Sequence, residues 1–303
     1  MNGTAPHIVQ YQGSKRILAP QILRFMPRHS RRFIEPFSGT AAMTIATALA
    51  GRAEHFIVND INAPLIGMLR EAVERPQRLL NDYSRIWNGQ FSFKDGHVGH
   101  FYAIREKFNA GETTPAHMLY MLARCVKGSV RYGRNGNFNQ SPDKRRHGTS
   151  PEKLGPNLFA VSRLLRGRTE FTSLDYRAVF DQAGKGDVVY MDPPYQGVSE
   201  VRDNRYLSGV SFSDFSESLY ALNRKGVDYL ISYDGTCGDR AYGTDLPADL
   251  GCTKHMLCAG LSTQATFLGR KEVTQEALYV SRGLSSEGEM TFDQPFFSEA
   301  ASW

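Results

Sequence analysis

The stretch Val188-Val189-Tyr190-Met191-Asp192-Pro193-Pro194-Tyr195 decides how this 303-residue chain is read. A run of apolar residues, stopped by an acid and two prolines, predicts a buried strand ending at Asp192. Ligands of open α/β sheets bind beyond the carboxyl ends of the strands, so chemistry is expected just after such a strand. Pro193 and Pro194 donate no backbone N–H and hold the chain extended. Carbonyl oxygens then lie beside the Asp192 carboxylate and the Tyr195 ring. That set suits a flat ring bearing an exocyclic amine. The carboxylate and a proline-region carbonyl accept the two amino protons, and Tyr195 stacks on the ring. The bland alternative is a strand-ending turn, for which Asp-Pro and Pro-Pro are ordinary punctuation.

Upstream, strand and helix signals alternate. Arg32 to Glu35 predicts a short strand, Pro36 to Thr40 a turn, and the Ala-rich run to Leu49 a helix with Thr40 as its cap. His55 to Asn59 predicts a second strand ended by Asp60, and Asn62 opens a helix toward Glu74. Ser14 to Met26 reads as helical, with Pro20 set to kink or split it. This is the pattern of a parallel sheet with crossover helices. After Pro76 the pattern lapses. Residues 77–160 hold helical patches (Phe101 to Phe108, Pro115 to Val126) and a loop rich in Gly, Asn and Arg, and read as an inserted domain. Residues 1–76 and 161–303 then form the main domain. Its second half predicts strands at Glu170 to Leu174, Val188 to Asp192 and Tyr229 to Tyr233, and a helix at Ser213 to Asn223. His255 to Leu257 and Glu276 to Ser281 predict a closing antiparallel pair. The expected class is α/β, a mostly parallel sheet closed by an antiparallel hairpin, with a mainly helical insertion.

Hydrophobic residues make up 41% and charged residues 22%, the balance of a globular protein. No apolar stretch approaches the roughly 20 residues that span a bilayer, so no membrane role is expected. Met1 to Gln10 lacks a cationic segment followed by an apolar core, so no signal peptide is expected either. Cys125, Cys237, Cys252 and Cys258 form no Cys-x-x-Cys pair and no zinc-finger spacing. A reduced, cytoplasmic protein without a metal is the simplest expectation. Net charge is +5, and the excess is concentrated: Arg124, Lys127, Arg131, Arg134, Lys144, Arg145 and Arg146 face one acid, Asp143. Lys and Arg attract phosphates without regard to sequence. Arg reads guanine, and Asn or Gln adenine, in the major groove. Arg131, Arg134 and Asn137 are the candidates for base contacts, and Lys127, Lys144 and Arg145 for phosphates. The competing reading is a solvated basic loop.

The turn Glu35-Pro36-Phe37-Ser38-Gly39-Thr40 holds one glycine. A dinucleotide pyrophosphate needs several converging N–H groups, usually supplied by Gly-x-Gly-x-x-Gly. S-adenosylmethionine carries ribose and adenine but no phosphate, so a glycine-poor turn favours it. Asp60, about 20 residues beyond Gly39, is placed to accept from ribose hydroxyls. Tyr11-Gln12-Gly13-Ser14-Lys15 lacks the upstream glycine of a phosphate loop, since Ile8 stands there. Lys15 and the start of its helix suit a methionine carboxylate instead.

Together these residues resemble a family. Tyr11-Gln-Gly-Ser-Lys15, Phe33-Ile-Glu-Pro-Phe-Ser-Gly39, Asn59-Asp-Ile-Asn62 and Asp192-Pro-Pro-Tyr195 follow the order of the Dam-like DNA adenine-N6 methyltransferases. Arg131-Tyr-Gly-Arg-Asn-Gly-Asn-Phe-Asn139 resembles their DNA-reading insertion, and Ser232-Tyr233-Asp234 fits their next strand end. The resemblance implies a Rossmann-like methyltransferase sheet with S-adenosyl-L-methionine as cofactor. It also implies double-stranded DNA as partner, in some relatives beside a separate cognate restriction endonuclease. It implies that Tyr11, Gly13, Lys15, Glu35, Phe37, Gly39, Asp60, Asp175 and Asp192 hold or border the cofactor. Asp192, Pro193, Pro194 and Tyr195 hold the base, and Asn139 joins the DNA-contacting set. Tyr11 and Ser14 stand where Trp and Gly are frequent, which leaves the recognised sequence open. No cysteine follows a proline, which disfavours cytosine-C5 chemistry. Cytosine-N4 or RNA amino-methyl transfer, and a non-catalytic DNA-binding subunit, are the alternatives. Gln196 to Gly209 reads as a lid or a surface loop, and Gly269-Arg270-Lys271 as a further backbone contact.

Overall fold

Every residue of strand β4 (Asp187–Met191) is buried, as the apolar run requires of a central parallel strand. This computed structural model describes residues 5–194, 210–237, 240–241, 245–261 and 273–285. Tyr195, the 196–209 loop and Gly269 to Lys271 lie outside the described residues, as does the side chain of Asp234.

The other strands are β1 (Ser30–Glu35), β2 (Ala53–Asn59), β3 (Thr169–Thr172), β5 (Asp228–Cys237), β6 (Arg240–Ala241), β7 (Thr253–Leu261) and β8 (Val273–Val280). Their order is β3-β2-β1-β4-β5-β8-β7, with β6 paired to β5. From β3 to β5 all neighbours are parallel, whereas β8 runs antiparallel between β5 and β7. The chain order reverses between β1 and β4, the switch point where such sheets leave a crevice.

Side chains alternate across the strands, so each face buries its own set. Phe33, Phe56, Val188, Tyr190, Leu230 and Leu278 pack on one side. Ile34, Ile57, Val189, Met191, Tyr229 and Ile231 pack on the other. The first face receives α1 (Ala19–Ile22), α2 (Ala42–Leu49) and α3 (Ala63–Glu74), then α4 (Pro76–Gly89), α5 (Gly96–Asn109), α6 (Pro115–Arg124) and α7 (Pro151–Leu165). The second receives α8 (Tyr176–Gln182) and α9 (Phe212–Arg224) through Val179, Phe180, Phe215, Leu219 and Leu222. The insertion's core residues, among them Leu79, Tyr83, Phe101, Met118 and Leu158, are continuous with the core under the sheet.

Local signals explain the helix ends. Asn62 caps α3 by accepting from the Leu65 N–H at 3.3 Å, and Pro64 sits where its missing N–H costs nothing. Pro20 does not split the first helical stretch: it stands in the opening turn of α1, which passes after Ile22 into a single 3-10 turn at Leu23–Phe25. The lapse after Pro76 is corrected by the structure: α4 begins at that proline and buries Leu79 and Tyr83 on one face. Arg124 is a second correction. It is fully buried, and its guanidinium donates to the carbonyls of Asp143 and His97, bracing the basic loop rather than facing solvent.

Candidate active site

The carboxyl ends of β1 to β4 open onto a cleft of about 270 Å³ at the switch point. Tyr11, Gly13 and Lys15 reach it from the N-terminal segment, and Glu35, Phe37 and Gly39 from the turn after β1. Asp60, Asp175 and Asp192 reach it from the ends of β2, β3 and β4. The cleft thus gathers all nine residues named as cofactor candidates, and Pro193 and Pro194 beside them.

The turn after β1 is built from carboxylates. Thr40 does not cap α2; the N-cap is Ala41, in the left-handed region at φ 57 without a side-chain cap bond. Glu35 takes that role from the end of β1. Its Oε2 accepts from the Thr44 N–H at 3.0 Å and from the Thr44 hydroxyl at 2.5 Å. Burial pushes the Glu35 carboxyl up to about 8 in spite of these donors. Asp60 repeats the theme, accepting from the N–H groups of Gly39 at 3.0 Å and Asn62 at 2.9 Å. Burial raises it to about 6. Each Asp60 oxygen keeps a second lone pair for a ligand hydroxyl. Gly39 sits at φ +49, where a Cβ would come 3.2 Å from the Tyr11 ring, so the turn and the N-terminal segment close together only around glycine.

Asn59, quoted in the family motif but given no role there, binds these strand ends together. Its amide donates to the carbonyls of Pro36 (2.9 Å) and Leu174 (3.0 Å), and accepts from the Thr172 hydroxyl and the Leu174 N–H at 2.8 Å each. Asp175 caps α8 through the Arg177 N–H and holds the Arg177 guanidinium at 2.8 Å, which keeps its carboxyl below the usual range.

Asp192 stands at the mouth of the cleft with Lys15 Nζ 3.1 Å away, and Lys15 also reaches Glu276 Oε1 at 2.8 Å. Glu276 comes from β8 and carries no sequence signal, because only the closing of the sheet brings it here. Beneath them the Tyr190 and Ser232 hydroxyls bond at 2.7 Å.

The basic segment forms a hairpin. Tyr132 bridges Phe138, the Gly133 N–H donates to the Asn137 carbonyl at 2.8 Å, and the Asn139 N–H to Arg131 at 3.0 Å. Arg131, Arg134, Asn137 and Asn139 are exposed along it. Lys127, Lys144 and Arg145 are exposed on the flanking turns. Tyr132 turns inward, lines the cleft and donates to Asn62. At the hairpin's base Gly128 (φ +55) lies so close to Gln10 that a Cβ would meet its carbonyl at 2.3 Å.

A sheet of this order, with acid-tipped strands around a switch-point cleft, defines the class: a Rossmann-like α/β protein. Residues 11–254 match the family described as D12 class N6 adenine-specific DNA methyltransferase, and the chain belongs to that family. It is 29% identical to the DNA N-6-adenine-methyltransferase of Escherichia phage P1 over 75% of this chain, although it spans only 30% of that relative's length. It is 29% identical to the DNA adenine methylase of Serratia marcescens over 63% of this chain and 67% of that protein. Identity to the DNA adenine methylase of Vibrio cholerae is 24%, over 92% of this chain and 97% of that one. Among solved structures, an rRNA methyltransferase from Streptomyces viridochromogenes aligns at a TM-score of 0.40 and 13% identity, covering 91% of this chain and 86% of that one, and bears no further argument.

Proposed function

We propose that this chain transfers a methyl group from S-adenosylmethionine to the N6 amino group of an adenine rotated out of double-stranded DNA. The observation that carries this reading is the position of Asp192, Pro193 and Pro194. They end the central strand and open on the same cleft as Gly39 and Asp60.

The cleft suits a phosphate-free donor. The N–H groups that could cradle a pyrophosphate are already engaged, Gly39 with Asp60 and Thr44 with Glu35. Its acidic rim favours a cationic ligand bearing hydroxyls. Ser38 lines the cleft, and its buried Oγ has no hydrogen-bond partner among the described residues. Asp60 and Asp175 then take hydroxyls and the adenine side, and Tyr11, Gly13, Lys15, Phe37 and Gly39 close around the rest. When bound, the cofactor supplies a methyl group on a positively charged sulfur.

An adenine inside a duplex is out of reach, and extruding it costs a few kcal/mol of stacking and pairing. Its amino lone pair is delocalised into the ring. Asp192 and the Pro193 carbonyl, each accepting one amino proton, favour a pyramidal nitrogen whose lone pair is freed. Tyr195 stacks on the extruded ring. Asp192 acts by holding the amine in a pocket from which water is excluded. Residues 77–160 serve as the target-recognition domain, with Arg131, Arg134, Asn137 and Asn139 toward bases and Lys127, Lys144 and Arg145 toward phosphates. The enzyme works where the DNA is, in the cytoplasm, and either pairs with a restriction endonuclease or acts alone. Among the described residues no helix is long and apolar enough to cross a membrane.

Sequencing of modified bases in DNA from cells expressing the chain tests the reading. N6-methyladenine at one recurring sequence is expected, lost in an Asp192→Ala variant that still folds. N4-methylcytosine, or methylation that survives Asp192→Ala, overturns it.

A further inference from the structure

Lys15 is only 5% exposed, yet it serves two carboxylates: Asp192 at 3.1 Å and Glu276 at 2.8 Å. A simple structural ion pair needs one. Two acids share this one ammonium, and both are partly withdrawn from water. The other oxygen of Glu276 sharpens the point. Glu276 Oε2 is buried without a hydrogen-bond partner among the described residues. A buried acceptor of this kind is rare enough to require a reason.

Backbone geometry shows how Glu276 is delivered. Tyr233 of β5 pairs with Ala277 of β8, but the next pair is Gly235 with Glu276, so β5 holds one extra residue at this point. The extra residue belongs to β5, so β8 itself runs regularly through Glu276. Leu278 and Val280 pack in the same core cluster as Tyr190, and alternation along β8 assigns Glu276 to their face. Asp192 follows Tyr190 by the same period of two. The N-terminal segment carrying Lys15 crosses that face, with Ile8, Val9 and Leu18 in the same cluster.

We infer that Glu276 is a positioning residue for the transfer: it shares Lys15 with Asp192, so that the ammonium is tethered without neutralising the carboxylate that holds the target amine. This rests on the amino-methyl-transfer reading given above. With Lys15 drawn toward Glu276, Asp192 keeps the negative charge with which it grips the amino proton. Without Glu276, the ammonium closes fully on Asp192. The carboxylate then becomes a weaker acceptor while the cleft and the hairpin keep their shape.

Glu276→Gln tests this, because glutamine keeps the side chain's shape and an acceptor oxygen for Lys15 but removes the charge. The single-turnover rate of adenine methylation is expected to fall about tenfold, a loss of 1.4 kcal/mol of transition-state stabilisation. Dissociation constants for DNA and for S-adenosylmethionine are expected to stay within about twofold of wild type. Glu276→Asp, which restores the charge on a shorter stem, is expected to recover part of the rate. Thermal denaturation of both variants separates a rate effect from misfolding. An unchanged rate in Glu276→Gln overturns the inference. So does a loss expressed only in the dissociation constants, or one that Glu276→Asp does not relieve although it folds. Wild type in the same assay separates the two levels. If it methylates adenine while Glu276→Gln is unimpaired, only the role of Glu276 fails; if wild type methylates no adenine, the parent reading fails and this inference falls with it.

Discussion

The Tyr132 hydroxyl donates to Asn62 Oδ1 at 3.1 Å, and that same oxygen caps α3 by accepting from the Leu65 N–H. One bond thus ties the basic hairpin to the residue next but one to Asp60, on the floor of the cleft. Burial pushes the Tyr132 hydroxyl up to about 12, so it remains a donor at any working pH. Arg131 and Arg134 are exposed on either side of this partly buried ring in the hairpin.

Tyr132→Phe is therefore expected to cost about 1 kcal/mol of stability, the net worth of one neutral hydrogen bond. The loss stays small because Asn62 keeps Leu65 as a partner. Loosening of the hairpin is expected to raise KM for DNA a few-fold with little change in cofactor affinity. Thermal denaturation and steady-state kinetics check both, and an unchanged KM for DNA refutes the tether.

Glu35 gives the fold a pH dependence. Its carboxyl titrates near 4.5 when free and is raised to about 8 when folded. Between those values the unfolded chain has lost this proton and the folded chain still holds it. The group's contribution therefore makes stability fall as pH rises through that window. Asp60, raised from 3.8 to about 6, acts in the same sense over a narrower span. Glu35→Gln keeps an acceptor for Thr44 and removes the titration, so its urea denaturation midpoint is expected to vary less between about pH 5 and 8 than that of wild type. A variant whose midpoint follows the wild-type pH profile contradicts this.

At the far end of β4, Asp187 is fully buried and accepts from Arg31, Arg32 and the Gly184 N–H, the shortest contact being 2.6 Å to Arg32. Asp187→Ala strands that N–H and unpairs two guanidinium groups. The expected cost is about 2–4 kcal/mol, moderated because Arg31 reaches solvent. The cleft lies at the opposite end of the strand. Methylation well below the melting temperature is thus expected to persist while the melting temperature drops; equal losses in both indicate a role in the site.

The hairpin and its flanks are expected to divide their labour. Arg134→Ala should relax the methylated sequence, at about 1–3 kcal/mol of lost discrimination if it reads a guanine. Lys144→Ala should weaken all sequences alike and reduce the salt dependence of DNA binding by about one charge. Methylation-site profiles and salt titrations of both variants distinguish these outcomes, and an identical profile for Arg134→Ala removes it from the base-reading set.

Much of the fold could be read from local signals. Four apolar residues ending in Asp192 marked β4, and Asn62 ahead of a proline and an apolar stripe marked the start of α3. What escaped was always settled by partners distant in sequence. Thr40 looked like a cap because Thr is a good one, but Glu35 reaches the helix start first. Arg124 belongs by sequence to the basic run, whereas Asp143 and His97 offer it carbonyls inside. Asn59 belongs to a legible motif, but its four bonds join three separate segments, and Glu276 carries no local mark.

By itself the sequence determined the strand-and-helix alternation, the motif order and the chemical character of the residues after β4. These depend on side-chain periodicity and backbone chemistry that each short stretch carries with it. Only the tertiary structure decided which carboxylate caps which helix, that Tyr132 faces the cleft while its neighbours face solvent, and that Lys15 is shared between Asp192 and Glu276. Those pairings depend on sheet order and on the antiparallel entry of β8. They join groups whose separation in space bears no relation to their separation along the chain.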